Sequence, residues 1–339
     1  MKLRTVLSLL RSGELGLLLS ATGAMRRHHR LVFLAAGTSS GLFARLAKGP
    51  VPLDRLADGL LADPSMRDGL EAWLRVGVGL GELRAGPSGY GLRGALARKL
   101  ADPRHDAAAA LVEETARLHS VWILESPARL RAGRRFMLGD QDGRLVARSS
   151  RLVEPFVCEV IEDVVPRAGP VRLLEIGCGS AVYIRHAAGR NPELTALGLE
   201  LQPEVAALAA ENVSAWGLAR RVAIEAGDVM ARAAEAAFDL ATLHNNIYYF
   251  PVEDRVRVLR HVRAFVRPGG RLLLTTLCQG KGAGVDILDL WASMTEGCGR
   301  LPGRAELIAQ LGDAGLEAIE ARSLIPGQSF HAFVGTRGA

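Results

Sequence analysis

The spacing of apolar residues changes about halfway along the chain. Over residues 41–47, 52–57 and 67–76 they recur three and four positions apart, which is the period of an amphipathic helix. Beyond residue 170, short apolar runs such as 171–176 and 271–275 alternate with helical patterns. That alternation is typical of parallel strands joined by crossover helices. The pattern therefore predicts an α/β domain preceded by a mainly α-helical region.

The helical region contains a predicted β-hairpin. Residues 81–92 hold two short strand-like runs around a turn rich in glycine and proline. Three short helices followed by such a hairpin form a winged helix. Its third helix, over 67–76, has two arginines and two acidic residues, so it has no net charge with which to bind DNA phosphates. Its Leu70, Trp73 and Leu74 fit a core or a dimer interface better than contacts with bases. We therefore expect this region to dimerise, and we regard binding to nucleic acid as the weaker alternative.

Charge follows the same division of the chain. Residues 1–150 hold 23 basic and 14 acidic side chains, whereas residues 151–339 hold 19 and 22. The net charge of +6 therefore originates in the helical half. We predict three parts: a helical, winged-helix dimerisation domain over 1–108, linker helices over 109–166, and a ligand-binding α/β domain over 167–339. The basic half makes an acidic carrier protein a candidate partner.

Two further features narrow the class of protein. The four cysteines are scattered, without a C-x-x-C pair or a histidine at zinc-ligand spacing, so the sequence predicts neither a metal site nor a disulfide framework. Near the N-terminus, the uninterrupted apolar run 15–19 is too short for a membrane span of about 20 residues. We expect a cytoplasmic protein without a membrane span.

A glycine turn follows the first strand of the α/β domain. The strand ends in Glu175-Ile-Gly177-Cys-Gly179-Ser-Ala181, and a helical pattern begins directly after it. Ligands of such sheets bind at the carboxyl ends of strands, where glycines let the backbone come close. The dinucleotide fingerprint fails at its third glycine, where Val182 stands, and Glu175 would repel a pyrophosphate. A carboxylate there suits a cationic ligand, and S-adenosylmethionine carries an ammonium and a sulfonium group.

Four features in order resemble the class I S-adenosylmethionine-dependent methyltransferases over about residues 165–336. They are the loop 175–180, Glu200 at the end of the second strand, the segment 226–229 after the third strand, and Pro268-Gly-Gly270 before the fifth. The resemblance implies a Rossmann-like sheet of seven strands with an antiparallel last strand, and S-adenosylmethionine as the cofactor.

The resemblance also implies the cofactor contacts. Gly177 and Gly179 would pack on the methionine and ribose parts, Glu200 would bind the ribose hydroxyls, and Asp228 with Val229 would meet the adenine. Glu175 joins this set because its charge suits the cationic end of the ligand. The sequence departs from the family at position 181, where an alanine stands in place of a common third glycine.

A winged helix ahead of this domain resembles the two-domain small-molecule O-methyltransferases, in which the winged helix dimerises. In that family a histidine after the fourth strand is the general base, and the matching position is His244. Asn245 and Asn246 stand where the family carries an acidic residue and a tryptophan. His244 is therefore either the base, a residue lining the cofactor, or a residue that orients the acceptor.

Four residues are candidates to contact the methyl acceptor. They follow His244 or lie on a helical apolar face in the long segment after the fifth strand, and each of them fits ordinary core packing as well. They are Tyr248, Tyr249, Trp291 and Met294.

Together these features predict a homodimeric methyltransferase. It would transfer a methyl group from S-adenosylmethionine to a small molecule, preferably to oxygen, in specialised metabolism. Two alternatives stay open. One is a C- or N-methyltransferase for a carrier-bound or macromolecular substrate, and the other is a DNA-binding regulator that senses the cofactor.

Overall fold

The computed structural model describes residues 11–339, which form two compact units. One unit ends at Leu118 and the other begins at His119. The domain limits at 108 and 166 stay predictions.

The first unit is helical with one hairpin. Its described elements are α1 (Glu14–Ser39), α2 (Leu42–Leu46), α3 (Leu53–Leu60), α4 (Arg67–Leu80), β1 (Leu83–Gly86), β2 (Gly89–Leu92), α5 (Ala95–Leu100) and α6 (Asp106–Glu114). The strands β1 and β2 pair antiparallel, which confirms the hairpin expected over 81–92.

The contact between α1 and α4 is part of the core of the first unit. Leu70 and Leu74 of α4 are buried in this core, and the Trp73 ring lies 5.5 Å from the Phe33 ring. Gly77 permits the contact, because a Cβ atom there would come within 2.2 Å of the Phe33 ring. The apolar face of α4 therefore packs inside the unit, as expected for a core helix.

Helix α1 is 26 residues long and begins with several leucines. Even so, none of the helices within residues 11–339 is long and apolar enough to cross a membrane.

The second unit is a sheet flanked by helices. Its helices are α7 (Ser120–Ala132), α8 (Gly143–Ser149), α9 (Glu154–Val164), α10 (Val182–Arg190), α11 (Pro203–Ala215), α12 (Arg255–Phe265), α13 (Ala283–Met294) and α14 (Arg304–Asp313). Its strands are β3 (Val171–Ile176), β4 (Leu194–Glu200), β5 (Val222–Ala226), β6 (Phe238–His244), β7 (Val266–Leu277), β8 (Leu316–Ser323) and β9 (Phe330–Arg337).

The seven strands lie in the order β5-β4-β3-β6-β7-β9-β8. Strands β3 to β7 are parallel, and β9 is antiparallel to both β7 and β8. This confirms the predicted Rossmann-like sheet with an antiparallel last strand. The strand β7 begins earlier than expected, at Val266, and its register against β6 shifts where Gly269 adopts a positive φ of 75°. Such a shift is typical of a β-bulge.

Side chains of each strand alternate between two apolar layers. Leu173, Leu240 and Leu273 face the layer under α9 and α10. Residues of the opposite parity, such as Leu174 and Leu274, face the layer under α12 and α14. From β3 the chain proceeds outward to β4 and β5, and then returns to β6 on the other side. The carboxyl ends of β3, β4 and β6 therefore surround the switch point at which ligands of such sheets bind.

Candidate cofactor site

In the turn after β3, every second residue from Gly177 to Ala181 has a left-handed backbone conformation. Gly177, Gly179 and Ala181 have φ values of 65°, 54° and 63°. A Cβ atom on Gly177 would come within 2.7 Å of Asn246 Nδ2, so glycine is required there by space as well as by conformation. Ala181 adopts the same left-handed conformation as Gly177 and Gly179, and α10 begins directly after it. The loop therefore keeps the geometry of a glycine turn despite the alanine.

Glu200 ends β4 beside this loop. Its Oε2 accepts a hydrogen bond of 3.0 Å from the Gly179 N–H, and its Oε1 accepts one of 3.1 Å from the Gln202 N–H. The Glu200 carbonyl also accepts a bond of 2.9 Å from the Gly227 N–H, which brings the β5 loop alongside. In that loop Asp228 accepts a 2.8 Å bond from the Met230 N–H. Two carboxylates thus stand at one edge of the sheet.

A cavity opens at this edge, between the ends of β3, β4, β5 and β6. The predicted site residues among those that line it are Gly177, Gly179, Glu200, Asp228, Val229, His244, Tyr248 and Tyr249. Glu200 and Asp228 are its charged residues, and the lining within the described residues includes neither lysine nor arginine. A cavity of this charge suits a cationic ligand and disfavours a pyrophosphate.

His244 lies at the cavity wall but is 6% exposed. Its Nδ1 is 2.9 Å from Thr275 Oγ1, and the Tyr183 ring lies 4.7 Å from its own. Its Nε2 is buried and has no hydrogen-bond partner within residues 11–339. Burial lowers the pKa of His244 to about 3. A weakly basic, occluded imidazole favours the alternative in which His244 lines the cofactor over the one in which it is the general base.

Glu175 does not line the cavity. It is 1% exposed and lies behind the glycine loop, facing α10. Burial and the nearby Glu200 carboxylate raise the pKa of Glu175 well above its usual range, while the backbone N–H of Ile184 acts in the opposite direction. A cofactor contact through Glu175 stays a prediction, and any such contact has to reach behind the loop.

The two acceptor candidates on α13 are part of the core. Trp291 is 1% exposed, and its ring meets Tyr249 at 5.4 Å and Trp122 at 5.6 Å. Met294 is also buried, and its carbonyl accepts a 2.8 Å hydrogen bond from the Phe136 N–H. Neither residue lines the cavity, because the apolar face of α13 is used for packing within the second unit. Trp291 supports the cavity wall from behind, through Tyr249.

Two groups of lining residues were missed by the sequence analysis. The predicted linker supplies one wall, through residues that include Leu138, Gln141, Gly143 and Ser150. Asp142 caps α8 there by accepting a 3.1 Å bond from the Leu145 N–H. An Asp-Gly pair ahead of a helical run is a sequence signal for that start, but it does not reveal where the helix packs. The sequence analysis also missed Tyr183 of α10, which lines the cavity and packs its ring against His244.

Residues 174–272 match a family model described as a methyltransferase domain. No curated protein matches the sequence significantly.

Three solved structures illustrate the similarity in fold. The mitomycin 7-O-methyltransferase MmcR has a TM-score of 0.75 at 19% identity, with 98% of this chain and 99% of that chain covered. An O-methyltransferase family protein from Burkholderia thailandensis has a TM-score of 0.73 at 20% identity, with 95% and 98% covered. Human N-acetylserotonin methyltransferase, in complex with S-adenosylmethionine, has a TM-score of 0.71 at 16% identity, with 95% and 97% covered. The chain therefore carries a methyltransferase domain and has the fold of the O-methyltransferases over nearly its whole length.

Proposed function

We propose that the protein transfers a methyl group from S-adenosylmethionine to an oxygen atom of a small molecule, in specialised metabolism. The observation that carries the proposal is the anionic cavity between the glycine loop and Glu200, within a matched methyltransferase domain. The similar structures named above include enzymes whose names specify mitomycin and N-acetylserotonin, which are small molecules.

Different residues of the cavity would bind different parts of the donor. The Gly177 and Gly179 backbone would pack on its methionine and ribose parts, Glu200 would accept hydrogen bonds from the ribose hydroxyls, and Asp228 with Val229 would hold the adenine. S-adenosylmethionine supplies a methyl group already activated by its sulfonium. The chain then has to align the acceptor with that carbon and exclude water from it.

The acceptor side is aromatic. Tyr248 and Tyr249 line the cavity with rings 5.1 Å apart, and Trp291 stands edge-on to both. We propose that the two tyrosines contact the acceptor and that Trp291 fixes their positions. A flat aromatic wall suits a planar acceptor such as a phenol.

The atom that receives the methyl group is open to direct test. Purified protein is incubated with S-adenosylmethionine and a panel of planar aminophenols, which offer oxygen, nitrogen and ring carbon as acceptor atoms, and the products are identified by nuclear magnetic resonance. Methylation at oxygen is the expected result. Methylation at carbon or nitrogen alone would contradict the preference for oxygen.

Substitution of His244 by asparagine tests whether this residue is the general base. We expect the single-turnover rate at saturating donor to stay within about tenfold of the wild type, because general acid–base catalysis contributes about 10²–10⁴-fold and His244 Nε2 is occluded. Rapid-quench measurement of one turnover checks this. A fall of about a thousandfold, together with a lost acidic limb in the pH profile, would restore His244 as the base.

We also propose that the protein is a homodimer that uses the start of α1. Leu17, Leu18 and Leu19 are 69%, 53% and 66% exposed, a run of apolar surface that favours a covered face. Light scattering is expected to give the mass of a dimer for the wild type. The control variant Met66→Glu, which places a charge on an exposed apolar residue outside α1, is expected to give the same mass. The variant Leu18→Glu is expected to shift toward monomer. A wild-type monomer would contradict the proposal.

A further inference from the structure

One fully buried arginine lies outside the cavity lining. Arg255, the first residue of α12, is 0% exposed and is the one buried arginine or lysine among residues 11–339. Burial lowers its pKa to about 10, so the guanidinium keeps its charge at neutral pH. Burying a charge is costly unless hydrogen bonds compensate for the lost contacts with water. The partners of this guanidinium therefore indicate its role.

The Arg255 guanidinium joins two loops. One is the tyrosine loop, residues 246–250, and the other is the 298–302 loop that follows α13. Arg255 Nε donates to the Phe250 carbonyl at 3.3 Å, and its Nη2 donates to the Arg300 carbonyl. Its Nη1 is buried and has no partner within the part of the chain that the structure describes. The bonds of the buried charge therefore go to the backbone of these two loops.

The two loops also meet directly. The Gly299 N–H donates to the Tyr248 carbonyl at 3.0 Å. A Cβ atom on Gly299 would come within 2.9 Å of the Phe250 carbonyl oxygen and 3.1 Å of Arg255 Nη2. The approach therefore requires a glycine, and the guanidinium lies at the point of contact.

The 298–302 loop is itself fixed to its surroundings. Arg300 and Glu306 form two hydrogen bonds, of 2.8 and 2.9 Å, a bidentate pair that fixes geometry as well as distance. The Leu301 N–H donates to Asp289 Oδ1 of α13 at 2.6 Å. Arg255 therefore ties the tyrosine loop to a loop that is already braced on both sides.

The tyrosine loop forms part of the cavity wall. Tyr248, Tyr249 and Phe250 line the cavity, whereas Arg255 does not. We propose that Arg255 is a positioning residue for methyl transfer, which holds Tyr248 and Tyr249 against the acceptor through its bonds to the Phe250 and Arg300 carbonyls. This inference rests on the proposed function, because that function assigns the two tyrosines to the acceptor. Arginine suits the task, since its planar fork bonds to two carbonyls at once and a lysine ammonium lacks that geometry.

Two substitutions in the full chain test the inference. Arg255→Ala removes both bonds and leaves room for a free guanidinium ion, and Arg255→Lys keeps the charge without the planar fork. The matched control is Arg257→Ala on the same helix, where the side chain is exposed and pairs with Asp254 at 3.1 Å. Calorimetry gives the affinity for S-adenosylhomocysteine. Steady-state kinetics at saturating donor give kcat/KM for the aminophenol that the wild type methylates fastest, and thermal unfolding checks the fold.

The expected loss is confined to the acceptor. Arg255→Ala should lower kcat/KM for the aminophenol by about a hundredfold, the effect of misplacing a reacting group by about 1 Å. The affinity for S-adenosylhomocysteine should stay within about twofold of the wild type, because neither bond reaches the glycine loop. Millimolar guanidinium chloride should restore about tenfold of the lost rate by remaking the charged hydrogen bonds, and sodium chloride should restore none. Arg255→Lys should lie between the two, and Arg257→Ala should match the wild type throughout.

Two further measurements keep the test decisive if Arg255→Ala unfolds or the aminophenols react slowly. Gly299→Ala separates the same loops without removing the guanidinium, so the same selective loss is expected, without rescue by guanidinium chloride. Hydrogen exchange followed by mass spectrometry needs no acceptor. In Arg255→Lys the peptide over 246–250 should exchange about tenfold faster, while the peptide over 177–181 keeps the wild-type rate.

Three results would overturn the inference. Equal losses of donor affinity and of aminophenol turnover would show that Arg255 only supports the fold. Unchanged kcat/KM, or unchanged exchange over 246–250, would show that the tyrosine loop is held without this arginine. Failure of the wild type to bind S-adenosylhomocysteine would instead reject the proposed function itself.

Discussion

Replacing Glu200 by glutamine is expected to weaken S-adenosylmethionine binding by about a hundredfold, since charged hydrogen bonds to a ligand are among the strongest in proteins. The Glu200 carboxylate accepts from two backbone N–H groups, those of Gly179 and Gln202. A glutamine would place an NH₂ group against one of these donors and would remove the charge that suits a cationic ligand. The substitution therefore disturbs the glycine loop and the ligand contact together.

Glu204→Gln is the matched control for this prediction. Glu204 lies four residues further on, in the first turn of α11, and is exposed and outside the cavity lining. Calorimetry should give it the wild-type affinity. Equal affinity in the Glu200 and Glu204 variants would show that Glu200 has no part in donor binding.

Gly177→Ala is expected to reduce both stability and donor binding. A left-handed conformation costs an L-residue about 1–2 kcal/mol. The new Cβ atom would also come within 2.7 Å of Asn246 Nδ2, which donates to the Ile176 carbonyl. We expect the free energy of unfolding to fall by about 2 kcal/mol, and donor affinity to fall by about tenfold or more as the loop shifts. Urea unfolding and calorimetry measure the two effects.

Ala181 shows that the loop can hold a residue with a side chain in the left-handed conformation. It has φ 63° and is an alanine in the wild type, so the loop tolerates the conformation where space permits. At position 177 the contact with Asn246 adds to the cost of the conformation. The control is Gly189→Ala in α10, where a Cβ atom would meet nothing within 4 Å. That variant is expected to be as stable as the wild type or more stable. A stable, binding-competent Gly177→Ala protein would contradict the account of the loop.

Features carried by local sequence were predictable. The succession of strands and helices along the chain follows from apolar runs separated by helical patterns, and the glycine loop with Glu200 and Asp228 follows from their places at strand ends. The sheet edge brings these residues together because parallel strands end on the same side. The hairpin of the first unit was likewise visible from its turn residues.

Features that depend on packing were not predictable. An apolar stripe on α13 gives the same pattern whether Trp291 faces a ligand or the core, and the structure places it in the core. The cavity wall formed by residues 138–150 depends on how α8 packs within the second unit. The sequence of α8 alone does not indicate that packing. His244 is likewise covered by the ring of Tyr183, a residue from another element.

The central claim is that the cavity beside the glycine loop binds S-adenosylmethionine. Titration calorimetry of the purified full chain with S-adenosylmethionine, and with S-adenosylhomocysteine as the product, tests it most directly. The account predicts saturable binding of both ligands at one site per chain, with the affinity for both reduced in Glu200→Gln and retained in Glu204→Gln. Absence of binding at millimolar ligand by a folded wild-type protein would contradict it.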